Sequence, residues 1–143
     1  MKKNSVVTAQ QGVAEPSAYL AAIVEASDDA IISTNLDGII TSWNSSACSM
    51  FGHISGQAIA KHITLIIPED RIAEEQMIIA RLKDGERINH YETLRRHKDG
   101  RNIDVSISVS PIRDNKDRLV GASKVLRDIS AQKRLNHILN TQK

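Results

Sequence analysis

The strongest constraint on the fold is a run of strictly alternating residues in the second half of the chain. Four apolar residues fall on one face of an extended strand, Ile103, Val105, Ile107 and Val109, and four polar residues fall on the other, Asp104, Ser106, Ser108 and Ser110. Asp99-Gly100 precedes the run and supplies hairpin-turn chemistry. Pro111 follows it and should weaken central pairing, because proline has no N–H to donate. The stretch from 90 to 114 therefore predicts a long β-hairpin whose apolar face needs a cover.

The register of this hairpin depends on the length of its turn. Strand alternation puts Tyr91, Thr93 and Arg95 on one face of the first strand. A two-residue loop at Asp99-Gly100 sets Arg95 opposite Asp104, where it makes an ion pair on the solvent face. A loop one residue longer, with a bulge, brings Tyr91 and Arg95 to the side of Val105. Arg95 is then a buried or pocket-rim cation able to hold a carboxylate.

The rest of the chain predicts helices around a second hairpin. The first predicted elements are a helix from Ala18 capped by Ser17 and two strands, Ala30–Thr34 and Ile39–Trp43, joined by Asp37-Gly38. A helix follows from Ser45 to Phe51, capped by Asn44 and closed by Gly52. The last two elements are a helix from Pro68 to Lys83 and a strand, Leu119–Ile129, and the apolar residues of this helix are Ile72, Met77, Ile79, Ala80 and Leu82. Helices grouped beside an antiparallel sheet predict an α+β domain, with five strands and helices covering one face.

Three regions follow from this order. Residues 1–16 are polar and aperiodic and are predicted to be a flexible arm, residues 17–130 form the domain, and residues 131–143 form a C-terminal linker helix. Apolar residues at helical spacing mark both flanking helices: Leu20, Ile23 and Val24 in the first, Leu135, Ile138 and Leu139 in the last. The last stripe is too narrow to bury alone, so it either packs on its own domain or pairs with a second copy as a coiled coil.

Composition excludes several classes of function. A formal net charge of +2, with 25% charged residues of mixed sign, gives no charge-driven affinity for nucleic acid or membrane. Aromatic residues make up 3% of the chain, too few for a base-stacking platform. No run of about 18 apolar residues and no signal-peptide pattern occur, so we expect no membrane insertion and a cytoplasmic location. The single cysteine, Cys48, lies among small and apolar residues and is predicted to be a buried structural thiol.

The chain resembles a PAS domain of the sensory-box type over about residues 18 to 130. The motifs that carry the resemblance occur in the family's order: 26–32 (ASDDAII), 37–44 (DGIITSWN), Ala47, Phe51-Gly52, 66–71 (IIPEDR), 85–88 (GERI), 96–100 (RHKDG), 109–114 (VSPIRD), Gly121 and 127–130 (RDIS). The resemblance implies the PAS fold with flanking helices, which often mediate a homodimer. It also implies signalling to an effector domain or partner protein, such as a histidine kinase or diguanylate cyclase, through the C-terminal helix.

The residues do not match the family's usual cofactor sites. In the flavin photosensors the reactive cysteine corresponds to Ile63 here, and the flavin-binding amides correspond to Val105 and Leu126, so we reject a flavin adduct. Cys48 likewise does not suit the attached chromophore of photoactive yellow protein. The axial histidine of the haem group corresponds to Glu75, with Met77 nearby as a possible alternative ligand. His53, His62 and His90 are expected in exposed loops or at strand edges. The cofactor is therefore unknown.

The resemblance implies a small-molecule pocket against the sheet and favours the longer hairpin loop, which turns Arg95 inward. The pocket candidates are Tyr91, Thr93, Arg95, Val105, Ile107, Leu126, Ile63 and Met77. Three functions stay open: a sensory module relaying a ligand or partner state, a ligand-free interaction domain, and a haem or flavin sensor with atypical ligands. We do not expect an enzyme, because adjacent carboxylates such as Glu74-Glu75 point in different directions on a helix and no phosphate loop or nucleophile motif occurs.

Overall fold

A single five-stranded antiparallel sheet organises the chain. A computed structural model describes residues 16–141. The strands are β1 (Ala30–Asn35), β2 (Ile40–Trp43), β3 (Ile88–Arg96), β4 (Asn102–Arg113) and β5 (Leu119–Asp128), in the sheet order β2-β1-β5-β4-β3. The helices are α1 (Pro16–Ala26), α2 (Ser45–Phe51), α3 (Ser55–Ala58), α4 (Ile72–Lys83) and α5 (Ser130–Thr141), with 3₁₀ turns at Ile63–Ile66 and Glu69–Arg71. The α+β prediction, with helices covering one face of the sheet, is confirmed.

The flanking regions differ in detail from the prediction. Helix α1 begins at Pro16, rather than at Ala18 after a Ser17 cap. Apart from Pro16, the predicted flexible arm lies outside the described residues. Within the range 16–141, no helix has both the length and the apolar character needed to cross a bilayer.

The core forms between the inner face of the sheet and helices α2 and α4. The alternation predicted for β4 is confirmed, since Ile103, Val105, Ile107 and Val109 are all buried. Phe51, Ile78 and Leu82 are fully buried against this face. Each such side chain contributes roughly 1.5–3 kcal/mol through apolar burial. The opposite face, with Asp104 and the three serines of β4, is only partly buried.

The second hairpin and its following helix form as predicted. β1 and β2 are antiparallel neighbours, although β2 begins at Ile40, and Ile39 forms an isolated bridge with His62 instead. Asn44 caps α2: its Oδ1 accepts from Ala47 N at 3.0 Å, and Gly52 ends the helix with a positive φ of 82°. Asn44 is itself buried and joins α1 to the sheet, because Nδ2 donates to Val24 O at 2.8 Å and Oδ1 accepts from Ile31 N at 2.9 Å.

The start of the long helix differs from the prediction. It begins at Ile72 rather than Pro68, because Arg71 departs from helical geometry (φ −117°, ψ 3°) and separates the 3₁₀ turn from α4. Of the apolar residues named for this helix, Leu82 is buried and Met77 packs against the core, whereas Ile72 is 39% exposed and Ala80 is exposed. The buried face is formed by Glu75, Ile78 and Leu82, spaced three and four residues apart.

β4 has two neighbours along most of its length and one at its end. The pairing with β3 reaches no further than Ile88 opposite Val109, whereas the pairing with β5 continues through Pro111 opposite Ala122. Pro111 therefore lies where β4 has lost its β3 neighbour, which agrees with the expected weakening of central pairing.

Candidate functional site

The candidate site starts from the hairpin register, which turns the polar residues of β3 inward. Tyr91, Thr93 and Arg95 lie opposite Ile107, Val105 and Ile103 of β4. The pairing leaves a three-residue loop, 98–100, between His97 N and Arg101 O, which are 2.9 Å apart. Gly100 adopts a φ of +96° in this loop, a conformation that glycine adopts without strain. The longer of the two loops considered above is thus the one observed, and Arg95 is 2% exposed on the inner face.

Glu74 of α4 is the acceptor for the inward polar groups of β3. Arg95 Nη1 donates to its Oε1 at 2.9 Å, and the Thr93 hydroxyl lies 2.8 Å from the same oxygen. Arg71 Nη1 reaches its Oε2 at 3.1 Å from the turn before the helix. Burial raises the pKa of Glu74, but the hydrogen bonds from Arg95, Thr93 and Arg71 outweigh it and hold that pKa below the usual carboxyl value. The ionised carboxylate of Glu74 thereby links α4 to β3.

Glu75 makes a second, separate attachment to the middle of the sheet. Lys124 Nζ of β5 lies 2.5 Å from Glu75 Oε1, and the two side chains are 5% and 9% exposed. Successive residues of a helix project about 100° apart around its axis. The carboxylates of Glu74 and Glu75 therefore reach β3 and β5, the strands on either side of β4. Desolvation lowers the pKa of Lys124 despite the opposing attraction of Glu75, and nearby Arg95 lowers it further.

The remaining pocket candidates lie in the same core. Val105, Ile107, Leu126 and Ile63 are at most 2% exposed, whereas Tyr91 and Met77 are partly buried against the core. The name "inner wall" is used below for the sheet residues of this group: Tyr91, Thr93, Arg95, Val105, Ile107 and Leu126. The sequence analysis did not assign Glu74, Glu75 and Lys124 to the site. These three residues and Arg95 form a group of four buried or partly buried charges.

A signal for Lys124 and Glu75 was present in the sequence. Lys124 has the same strand parity as Ala122 and Leu126, which are both buried, so an extended β5 turns it inward. Glu75 precedes Ile78 by three residues, which puts it on the same face of a helix. Each signal alone indicates a buried charge, and the two together indicate an ion pair across the core.

The residues discussed for cofactors occupy different parts of the fold. Cys48 is on α2 and partly buried, away from Ile63 in the 3₁₀ turn. Glu75, which the resemblance aligns with the family's haem-ligand position, is engaged by Lys124. His62 and His90 are exposed, and His53 is half-buried with its pKa lowered by desolvation and by Lys98 and His97. Residues 16–141 contain no cluster of three or more His, Cys, Asp or Glu side chains suited to a metal ion.

The candidate dimer residues lie on the flanking helices, away from the inner wall. Leu20 and Ile23 of α1 are more than 60% exposed, and Val24 is partly buried. Leu135, Ile138 and Leu139 of α5 are each at least half exposed. Both helices therefore present apolar surface to solvent.

Comparisons with known proteins agree on one family and fold. A family model described as the PAS fold matches residues 18–129. The PAS domain of a protein from Colwellia psychrerythraea is 24% identical, with a TM-score of 0.76, covering 82% of this chain and 99% of that one. The PAS domain of an HTR-like protein from Haloarcula marismortui is 22% identical, with a TM-score of 0.67, covering 79% and 91%. A PAS domain from a two-component sensor histidine kinase is 13% identical, with a TM-score of 0.67, covering 78% and 95%. These identities support a shared fold.

Proposed function

We propose that this chain, which belongs to the PAS family, is a cytoplasmic sensory module that relays a change in its core to an effector through α5. The effector we propose is a histidine kinase or diguanylate cyclase, with the chain acting as a homodimer. The observation that carries the proposal is the path of β5. Lys124 of this strand is paired with Glu75 of α4, and the strand ends two residues before α5 begins.

We expect a shift of the sheet to move α5, because contacts at the junction between β5 and α5 hold the start of the helix. Ser130 N donates to Asp128 Oδ1 at 2.9 Å, which forms an Asx turn that leads into α5. Ile129 is buried, and its N–H donates to Asp104 O of β4 at 2.9 Å. A helix held at its first turn in this way is expected to follow a shift of the sheet, provided that two arrangements lie close in free energy.

The exposed stripe of α5 suits pairing with a second copy. Leu135, Ile138 and Leu139 are spaced as one narrow helical face, the geometry of a coiled-coil seam. We propose that two α5 helices pair along this stripe and that α1 adds to the dimer through Leu20 and Ile23.

Two measurements test this proposal. Sedimentation equilibrium should show a dimer for the 143-residue chain and a weaker dimer for Ile138→Glu, while Asn140→Glu, an exposed change on the same helix, should have little effect. Hydrogen exchange should show altered protection at residues 129–134 in the double variant Glu75→Met/Lys124→Met, but not in Lys61→Met, an exposed lysine change outside α5. A monomeric chain, or changes confined to α4 and β5, would count against the relay.

A ligand-free interaction domain is the second candidate, and one observation favours it. The inner wall is occupied by its own contacts, since Arg95 and Thr93 are both bonded to Glu74 and Val105 is fully buried. Absorption and mass spectra of freshly purified protein separate the candidates. A co-purifying ligand supports sensing, a clean spectrum supports the interaction domain, and a Soret or flavin band would support the third candidate, a sensor with atypical ligands.

A further inference from the structure

The tip of the β3–β4 hairpin is docked onto the end of α2. Lys98 N donates to Phe51 O at 2.8 Å. The ring of His97 lies against Gly52, since a Cβ at Gly52 would come within 2.7 Å of His97 Cε1 and 3.2 Å of Lys98 Cβ. We call the contact of His97 and Lys98 with residues 51–52 the tip contact. It holds the free end of the hairpin that contributes most of the inner wall.

His53 follows the tip contact at a place where a positive charge is opposed. Its ring is half-buried and lies edge-on to Trp43, with the ring centroids 6.3 Å apart. Burial, the charge of Lys98 and the nearby His97 all lower the pKa of His53 from its ordinary value of 6.5. The docked tip is therefore compatible with the neutral ring of His53 and disfavours its imidazolium form.

The elements packed around the tip contact offer little negative charge to offset this repulsion. β2, α2 and α3 contain no Asp, Glu, Lys, Arg or His. On the tip itself Asp99 is acidic, but its Oδ1 accepts from Arg101 N at 3.0 Å and its Oδ2 from Arg101 Nε at 3.2 Å. Arg96, which precedes the tip, is a further cation. A proton on His53 thus adds to a basic tip whose carboxylate is already paired.

The hydrogen bonds of the tip also use an unprotonated ring nitrogen of His97. Asp99 N donates to His97 Nδ1 at 3.0 Å, which requires the lone pair of that nitrogen. A proton on Nδ1 removes this acceptor and leaves Asp99 Oδ1, 3.1 Å away, as the partner of the ring. Proton uptake at His97 therefore rearranges the loop beside the tip contact.

We propose that the tip contact is a pH switch, which is closed while His53 is neutral and opens when His53 takes up a proton, freeing the hairpin tip from α2. The lowered pKa of His53 gives the sign: the stabilisation of the closed form is present above about pH 6.5 and is lost as pH falls through the pKa of the docked ring. The switch concerns the hairpin tip and does not depend on the relay through α5.

The test is backbone hydrogen exchange, read by NMR on the 143-residue chain at about pH 7.5 and about pH 5 and corrected for intrinsic exchange rates. We expect the protection of Lys98 N–H to fall at least about fivefold at the lower pH. Asp114 N–H, which donates to Arg118 O at 2.9 Å in the β4–β5 turn, is the control and should change less than about twofold. Unchanged protection at Lys98 would refute the switch. An equal fall at Asp114 would mean general loosening and would also overturn it.

Three variants assign the response to its residues. His53→Gln keeps a polar side chain that takes up no proton, so the protection of Lys98 N–H should lose most of its pH dependence. His90→Gln removes an exposed histidine of β3 and should keep the full response. A natural response in His53→Gln would overturn the proposal.

The third variant, Lys98→Met, changes an exposed side chain and keeps the backbone donor of the tip contact. It removes the larger of the two opposing charges, so the pKa of His53, followed through its ring resonances, should rise toward 6.5. An identical His53 titration in Lys98→Met and the natural chain would refute the role given to Lys98.

Discussion

Replacing Lys124 with methionine is expected to destabilise the chain far more than replacing an exposed lysine. The attraction between Lys124 and Glu75 at 2.5 Å is roughly 7 kcal/mol for an effective dielectric constant of about 20. Dehydrating each ion costs several kcal/mol, so the intact pair contributes little net stability. Lys124→Met removes the attraction but leaves a buried carboxylate with neither oxygen bonded, which should cost about 3–5 kcal/mol.

The double variant Glu75→Met/Lys124→Met separates this explanation from simple loss of packing. It removes both charges and keeps side chains of similar length, so its stability should return to within about 1–2 kcal/mol of the natural chain or exceed it. The measurement is urea unfolding followed by circular dichroism. A parallel thermal scan should show a fall of roughly 9–25 °C for Lys124→Met, at about 3–5 °C per kcal/mol for a domain of this size.

Lys133→Met is the matched control. Lys133 makes a 3.3 Å ion pair with Glu92, but the two side chains are 47% and 55% exposed, so its loss should cost about 0–1 kcal/mol. The reasoning fails if Lys124→Met is no more costly than Lys133→Met. It also fails if the double variant is as unstable as the sum of its two single changes, because the loss would then reflect packing rather than a stranded charge.

Three further predictions concern the cap, a close backbone contact and the acid range. Asn44→Ala should cost about 2–4 kcal/mol in urea unfolding, because it strands several buried backbone groups, and Asn44→Asp should not restore the donated bonds. Gly121→Ala should cost at least about 2 kcal/mol, since a Cβ there would lie 2.2 Å from Thr34 O, whereas Gly56→Ala meets no atom within 4 Å and should change stability by about 0.5 kcal/mol or less. The pKa of Glu74 is lowered in the folded chain. Its contribution to the free energy of unfolding is therefore present above the unfolded carboxyl pKa and is lost as pH falls through the folded pKa. Glu74→Gln should therefore flatten the fall in unfolding free energy between about pH 5 and pH 3, and an unchanged slope would contradict the assignment.

The elements governed by neighbouring residues were predictable from the sequence. The alternation of β4 and the cap at Asn44 are local properties of the chain, and both are confirmed. The start of α4 was not predicted correctly, because Arg71 leaves helical geometry while its side chain bonds Glu74 and Thr93, which lies 22 residues away. The preference of Pro68 for the first turn of a helix was thus overridden by the tertiary contact of Arg71 with Thr93.

The sequence by itself determined the order of strands and helices, the apolar face of the hairpin and the inward parity of Lys124. It left the hairpin register open, because Asp99-Gly100 suits loops of two lengths that place Arg95 on opposite faces. Only the tertiary structure decided that Arg95 and Lys124 face two adjacent carboxylates of α4, with Glu75 and Lys124 separated by 49 positions in the chain. The physical reason is that a buried charge requires a partner, and local sequence patterns do not specify which distant residue packing brings within reach.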